Sequence, residues 1–211
     1  KYMMLTYDDQ WATTLDALSY LSNLGLRATV YVNVGNVGET SYMTLDQLKA
    51  VKDAGHLVAG HYAGHASGAH PTSWSGLSSQ ERTEAVYRVA DWLSQNGFYE
   101  GVPHFASPGG DFCPDTDWAL FGSLLQTFRT ASANGCQQEI MNPGVTGHLL
   151  YLSGIDSHSS WTQARADVKT EGGLAVCYSH GGSPYSGANA ADWKTEYDNI
   201  AADLQAGSID G

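Results

Sequence analysis

The sequence is short of positive charge: ten Lys and Arg stand against 22 Asp and Glu, a formal net charge of −12. Nucleic-acid binding runs mainly on neutralising phosphates with Lys and Arg, so this balance argues against such partners. Strongly anionic polymers are poor substrates for a related reason, since long-range repulsion slows their approach. A neutral or cationic ligand fits better. Charged residues of both signs make up only 15%, below the roughly 25% of an average soluble domain. Gly, Ser, Thr, Asn and Ala fill the difference, a mix that suits a secreted or otherwise extracytoplasmic, loop-rich enzyme. No apolar run nears the roughly 20 residues of a membrane span. No signal peptide is visible, and the chain opens directly into a strand-like run, so further residues are expected upstream.

Cysteine is also scarce. Cys113, Cys136 and Cys177 permit one disulfide and one free thiol. The first two lie in polar, Gly- or Pro-flanked stretches that suit an extracytoplasmic bridge, and Cys177 lies in an apolar run and reads as a small buried filler. Internal repeats and low-complexity linkers are missing. The 211 residues therefore read as one domain, 1–211, with a full core.

What is present is an alternation of strand-like and helix-like segments. Lys1–Tyr7, Ala28–Val34, Leu57–Gly60, His104–Ala106, Thr127–Ala131, Leu149–Leu152 and Leu174–Ser179 read as strands. Trp11–Leu24, Leu45–Ala54, Ser78–Gln95, Asp115–Leu125, Trp161–Thr170 and Ala190–Ala206 read as helices, several closed by a glycine, with Ser79 and Arg82 near the start of the third. Such alternation predicts parallel strands with helical crossovers, in an open sheet or a barrel. In parallel α/β folds the chemistry gathers at the C-terminal strand ends. Asp8 and Asp9 follow the first strand, His61 and His65 the third, and His180 the last, so residues far apart in sequence share one rim.

His61 and His65 are four apart, and on a helical turn this spacing sets both imidazoles on one face, as in other zinc-binding His pairs. His70 is a nearby histidine without an assigned role. Asp8 and Asp9 at a strand end can cap the following helix, but two adjacent carboxylates repel. A cation at one of them relieves that repulsion and leaves the other free as a base. One acid and two histidines leave open positions on a metal, as catalytic sites do.

These segments resemble polysaccharide deacetylases of carbohydrate esterase family 4, the NodB-homology domain. Leu5-Thr6-Tyr7-Asp8-Asp9 is similar to the first motif, and Gly55 to His65 to the second, with Tyr62 where Ser or Thr is usual. Ser107-Pro108-Gly109-Gly110 is similar to the tail of the third motif, and Ala175 to His180 to the last. The resemblance implies a deformed (β/α)7 barrel of mostly parallel strands with outer helices. It implies one divalent ion, Zn2+ or else Co2+, Ni2+ or Mn2+, on Asp9, His61 and His65. Asp8 is then the general base, and His180, on the far side of the mouth, the general acid. The implied activity is removal of acetyl groups from an N- or O-acetylated carbohydrate of chitin, peptidoglycan or xylan type, by a monomer. Pro108 and Gly109, with a backbone N–H near Gly109 for the oxyanion, together with Trp161 and Tyr178, are the implied substrate contacts, and Asp156 the support of the acid histidine.

Besides Tyr62, the chain departs from the pattern in the fourth motif, where Ile155 to Trp161 keeps Asp156 and Trp161 at a spacing that does not match, and at two further positions. The third motif usually begins with an Arg that orients the base, but Ala106 stands there, so Asp8 needs another partner or orientation. Tyr178 stands where Leu often lines the acetyl pocket. Trp11, Trp74, Trp118 and Trp193 are candidates for a sugar-stacking platform or for core packing, Trp74 first among them for stacking. Asp111 is either a substrate contact or a helix cap, and His56 reads as structural. Two other functions remain open: an amidase acting outside carbohydrates, and a non-catalytic glycan binder.

Overall fold

The computed structural model describes residues 1–63, 74, 76–110, 123–129, 150–152, 158–180 and 190–210. Seven strands, β1 (Tyr2–Asp8), β2 (Thr29–Asn33), β3 (Leu57–Tyr62), β4 (His104–Ala106), β5 (Thr127–Arg129), β6 (Leu150–Leu152) and β7 (Leu174–His180), form one sheet in the order β6-β5-β4-β3-β2-β1-β7. Every pairing is parallel. Among the described residues β6 and β7 do not pair, so the sheet curls into a barrel left open at that seam. Strand β2 is buried at all five positions, as a central strand covered on both faces requires.

Five helices are described: α1 (Thr14–Asn23), α2 (Leu45–Asp53), α3 (Ser79–Gln95), α4 (His158–Glu171) and α5 (Ala190–Gln205). Helix α3 buries Arg82, Ala85, Val86, Val89, Ala90 and Leu93, one stripe at helical spacing. Its start is a capping box between Ser78 and Glu81, one residue before the Ser79 and Arg82 that the sequence suggested. The box satisfies two N–H groups that the first turn leaves without partners. Gly60 lets α3 and β4 close onto β3. A Cβ there would stand 2.6 Å from Val89 Cγ1 and 3.0 Å from Phe105 Cδ2. Helices α4 and α5 are tied by Arg165, which bonds Glu196 at 2.7 Å and Asp203 at 2.6 Å.

The described strands match the expected ones to within two residues at each end. The helix expected over Asp115–Leu125 lies mostly outside the described residues, and its last three, 123–125, are not helical. His61 is a residue of β3 rather than of a helical turn, which corrects the sequence reading. Cys177 is fully buried, as expected, whereas Cys113 and Cys136 lie outside the described residues.

Candidate active site

The site is built on strand ends. Asp8 closes β1, with Tyr31 of β2 and His180 of β7 as its register partners. On β3 the register with β2 steps from Val32–Gly60 to Asn33–Tyr62, which leaves His61 as the extra residue of a bulge. Bulges bend a strand and re-aim a side chain. His61 is buried, and its Nδ1 lies 2.9 Å from the Ala106 carbonyl oxygen. A carbonyl only accepts, so Nδ1 carries the hydrogen, and in the neutral ring the lone pair is on Nε2. That nitrogen faces Asp9 Oδ1 at 3.5 Å.

This donor pair fits a divalent cation. The imidazole is fixed in the ligating tautomer by a backbone carbonyl, the usual supporting arrangement. The 3.5 Å separation is also close to that of two donors on a tetrahedral ion, roughly 3.3–3.4 Å for bonds of about 2.0–2.1 Å. Among the described residues no third His, Cys, Asp or Glu completes the group, and His65 lies outside them, as do His70, Asp111, Trp118 and Asp156.

Asp8 is turned elsewhere. Its buried carboxylate accepts a hydrogen bond from the guanidinium of Arg129, the last residue of β5 and itself buried. The cation is held between two aromatic faces, with its carbon 5.1 Å from the Tyr31 ring centre and 4.9 Å from that of Tyr178. Burial alone pushes the Asp8 carboxyl up, but Arg129, with His61 and His180 adding, holds it below the usual carboxylate range. Burial pushes the Tyr31 phenol up to about 12. Arg129 answers the question raised by Ala106, since the two are register partners on adjacent strands. The sequence reading missed it. The available signal was an arginine ending a short strand on the same rim.

His180 is exposed and sits next to Asp8 on the adjacent strand, not across the mouth as expected. Tyr178 meets it edge-on at 5.7 Å, so one tyrosine touches both Arg129 and His180. Trp161 is fully buried against Tyr7, Trp193 and Tyr197, and donates from Nε1 to the Tyr178 carbonyl at 3.3 Å. That bond joins Trp161 to the backbone of Tyr178 on the rim strand β7. Trp74, expected to stack sugar, is fully buried against Phe105 and Phe128, and Trp193 is also buried. Pro108 and the exposed Gly109 form a tight turn after β4, with Gly109 at φ 68°. A left-handed residue there favours glycine. His56 is structural as read, with Nδ1 accepting from Ala28 N–H at 3.1 Å and Nε2 2.8 Å from Ser22 Oγ.

The loop after Asp8 is strained and clamped. Asp9 has φ 65° and Gln10 φ 39°, left-handed values that cost of order 1–3 kcal/mol outside glycine. The buried Gln10 side chain compensates by bonding the backbone of Asn33 twice, as donor to its carbonyl and acceptor from its N–H, each at 2.7 Å. Around the same rim Asn33 Oδ1, Ser107 Oγ and Arg129 Nε are buried without a hydrogen-bond partner among the described residues. Buried polar atoms are rarely left so unless a site requires them.

The profile of the polysaccharide deacetylase family matches residues 1–121. The chain belongs to that family. Solved structures agree in fold. A family 4 carbohydrate esterase from Streptomyces lividans, in complex with acetate, is 19% identical, with a TM-score of 0.61 over 99% of this chain and 90% of the esterase. The Xyl-CE4 domain of a multidomain xylanase from the hindgut metagenome of Trinervitermes trinervoides is 15% identical, with a TM-score of 0.62 over 99% and 85%. The D285S mutant of peptidoglycan deacetylase PdaC from Bacillus subtilis is 15% identical, with a TM-score of 0.57 over 99% and 85%. A search of curated proteins found no match. The resemblance read from the motifs therefore holds, and with it the NodB-like fold of this polysaccharide deacetylase. Membership carries a class of chemistry, deacetylation of carbohydrate. No helix among the described residues is long and apolar enough to cross a membrane.

Proposed function

We propose that this deacetylase is metal-dependent and hydrolyses the acetyl amide or ester of an N- or O-acetylated glycan, as a monomeric domain spanning 1–211 outside the cytoplasm. The observation that carries the reading is the sorting of two consecutive carboxylates. Asp8 is held by Arg129, while Asp9 faces the free nitrogen of His61. Neighbouring acids with different partners have different work.

Asp9, His61 and, beyond the described residues, His65 would hold the ion, with Zn2+ first and Co2+, Ni2+ or Mn2+ as alternatives. Bound there, such an ion polarises the acetyl carbonyl and acidifies water. Asp8 accepts the proton of the attacking water. Arg129 supports that role, because it keeps the carboxylate ionised and fixes its direction. His180, exposed beside Asp8, donates a proton to the departing amine or alkoxide, a task suited to imidazole near neutral pH. Tyr178 packs against both Arg129 and His180 and sets their separation. The Gly109 N–H is assigned to the oxyanion and Pro108 to the wall beside it. Asp156 is assigned to support His180.

The test is acetate release from chito-oligosaccharides, acetylated xylan and small amides, before and after chelation and re-addition of each metal. Release from a glycan that stops on chelation and returns with metal is expected. Release from small amides alone points to an amidase. A metal-loaded protein inactive on all of them, yet retained on a glycan column, would be a binder, and the hydrolase reading falls. Non-reducing peptide mapping of the secreted protein tests the compartment: a Cys113–Cys136 bridge is expected, and two free thiols count against an extracytoplasmic site.

A further inference from the structure

Two residues beyond Asp9, the chain makes a short antiparallel contact that lies outside the barrel sheet. Trp11 bridges Tyr42, with Ala12 N–H donating to the Ser41 carbonyl at 2.8 Å and Met43 N–H to the Gln10 carbonyl at 2.9 Å. The two rings stack, with centres 4.5 Å apart and planes 28° from parallel. Both residues are half-buried, unlike Trp74, Trp161 and Trp193, which are sealed in the core. Tyr42 stands close enough to Asp9 to feel its charge.

Backbone strain gathers at the same place. Asp9, Gln10 and Ser41 are the three non-glycine residues at positive φ among the described residues, and all belong to the two segments that meet here. Strain of this kind persists where the surroundings over-determine it, and it clusters at ligand sites. The Gln10 bonds to Asn33 fix one segment and the bridge fixes the other, so the aromatic pair is rigid before any ligand arrives. Rigid aromatics lose little freedom on binding.

We propose that Trp11 and Tyr42 form a preformed stacking subsite for the pyranose ring adjoining the acetylated residue. A pyranose chair presents a flat, uncharged face of C–H groups ringed by hydroxyls, matching an aromatic surface with a polar edge. A subsite of this kind does not need charge on the ligand, in keeping with a chain of net charge −12. The proposal rests on the deacetylase reading for the chemistry of its ligand, but its binding measurement does not depend on turnover.

Trp11→Leu keeps apolar bulk and loses the aromatic face, Trp11→Phe keeps a face, and Tyr42→Leu removes the second ring from another segment. Turnover is compared on penta-N-acetylchitopentaose, an acetylated xylopentaose and 4-nitrophenyl acetate. Binding of both oligosaccharides is measured by calorimetry in an Asp8→Asn background. Expected for Trp11→Leu and Tyr42→Leu is a roughly tenfold fall in the ratio of oligosaccharide to aryl-acetate kcat/KM, carried by KM, and a matching rise in Kd. Trp11→Phe should recover most of both. Equal losses on all three substrates would overturn the subsite in favour of a role in holding the Asp9 loop. An unchanged ratio and Kd would overturn it outright, as would a parent protein that binds neither oligosaccharide. If nothing is turned over but Trp11→Leu and Tyr42→Leu still weaken binding, the subsite stands and the hydrolase reading fails alone.

Discussion

Ala106 and Arg129 are register partners on adjacent strands, and between them they carry two supports of the site. The Ala106 carbonyl fixes His61, and the Arg129 guanidinium fixes Asp8. Arg129→Met strips a buried carboxylate of its partner, a change that costs about 3–5 kcal/mol of stability and about 10²-fold in kcat through misplacement of the base. Returning an arginine one strand over, as Arg129→Ala with Ala106→Arg, should recover part of both. Urea denaturation and acetate-release kinetics check this. A double variant no better than Arg129→Ala would show that the guanidinium must come from β5.

Metal retention should separate the two aspartates. Asp8→Asn should abolish turnover, by 10²-fold or more for loss of a general base, while metal content after dialysis stays near that of the parent. His61→Ala should lose the ion. Elemental analysis of both proteins decides the point, and equal depletion would contradict the separate roles.

Gln10 offers a test of strain against hydrogen bonding. Gln10→Ala keeps a side chain at φ 39° and breaks two buried bonds to Asn33, so a loss of about 2–4 kcal/mol follows. Gln10→Gly breaks the same bonds but relieves the left-handed backbone, and should be more stable than the alanine variant by about 1 kcal/mol. Chemical denaturation of the pair measures the difference. A glycine variant less stable than the alanine one would mean that the backbone is not strained there.

His56 makes stability depend on pH. Burial, with the Arg27 charge adding, pushes its pKa below the ordinary 6.5, so the neutral ring is the folded form, with Nδ1 accepting from Ala28 N–H. A depressed folded pKa means that its contribution is whole above about 6.5 and is lost as pH falls through the lower folded value. Melting temperature should drop more steeply between neutral and weakly acidic pH in the parent than in His56→Gln, which starts lower by about 1–3 kcal/mol. Parallel curves for the two proteins would remove His56 from the account.

How far these features were legible in the sequence follows from their range. The succession of strands and helices along the chain and the helical stripe of α3 are local patterns, readable because side-chain period and turn residues are set by near neighbours, and the acids and histidines at strand ends follow from that succession. The pairing of Asp8 with Arg129 spans 121 positions, and no local rule links them. The bulge that makes His61 a strand residue depends on register with β2, which spacing alone does not contain. For the tryptophans, the Gly- and Ser-rich surroundings of Trp74 suggested exposure, but Phe105 and Phe128 from two strands close over it. His65 and Asp156 lie outside the described residues.

The family profile ends at residue 121, whereas the guanidinium beside Asp8 stands eight positions later and in register with the alanine found where the third motif usually has arginine. Sorting a relative as defective because its third motif lacks arginine therefore reads the wrong column whenever the next strand supplies the guanidinium. Inspection of the next strand at the same height is the proper criterion, and inactive-looking sequences with a basic residue there are the ones to assay first.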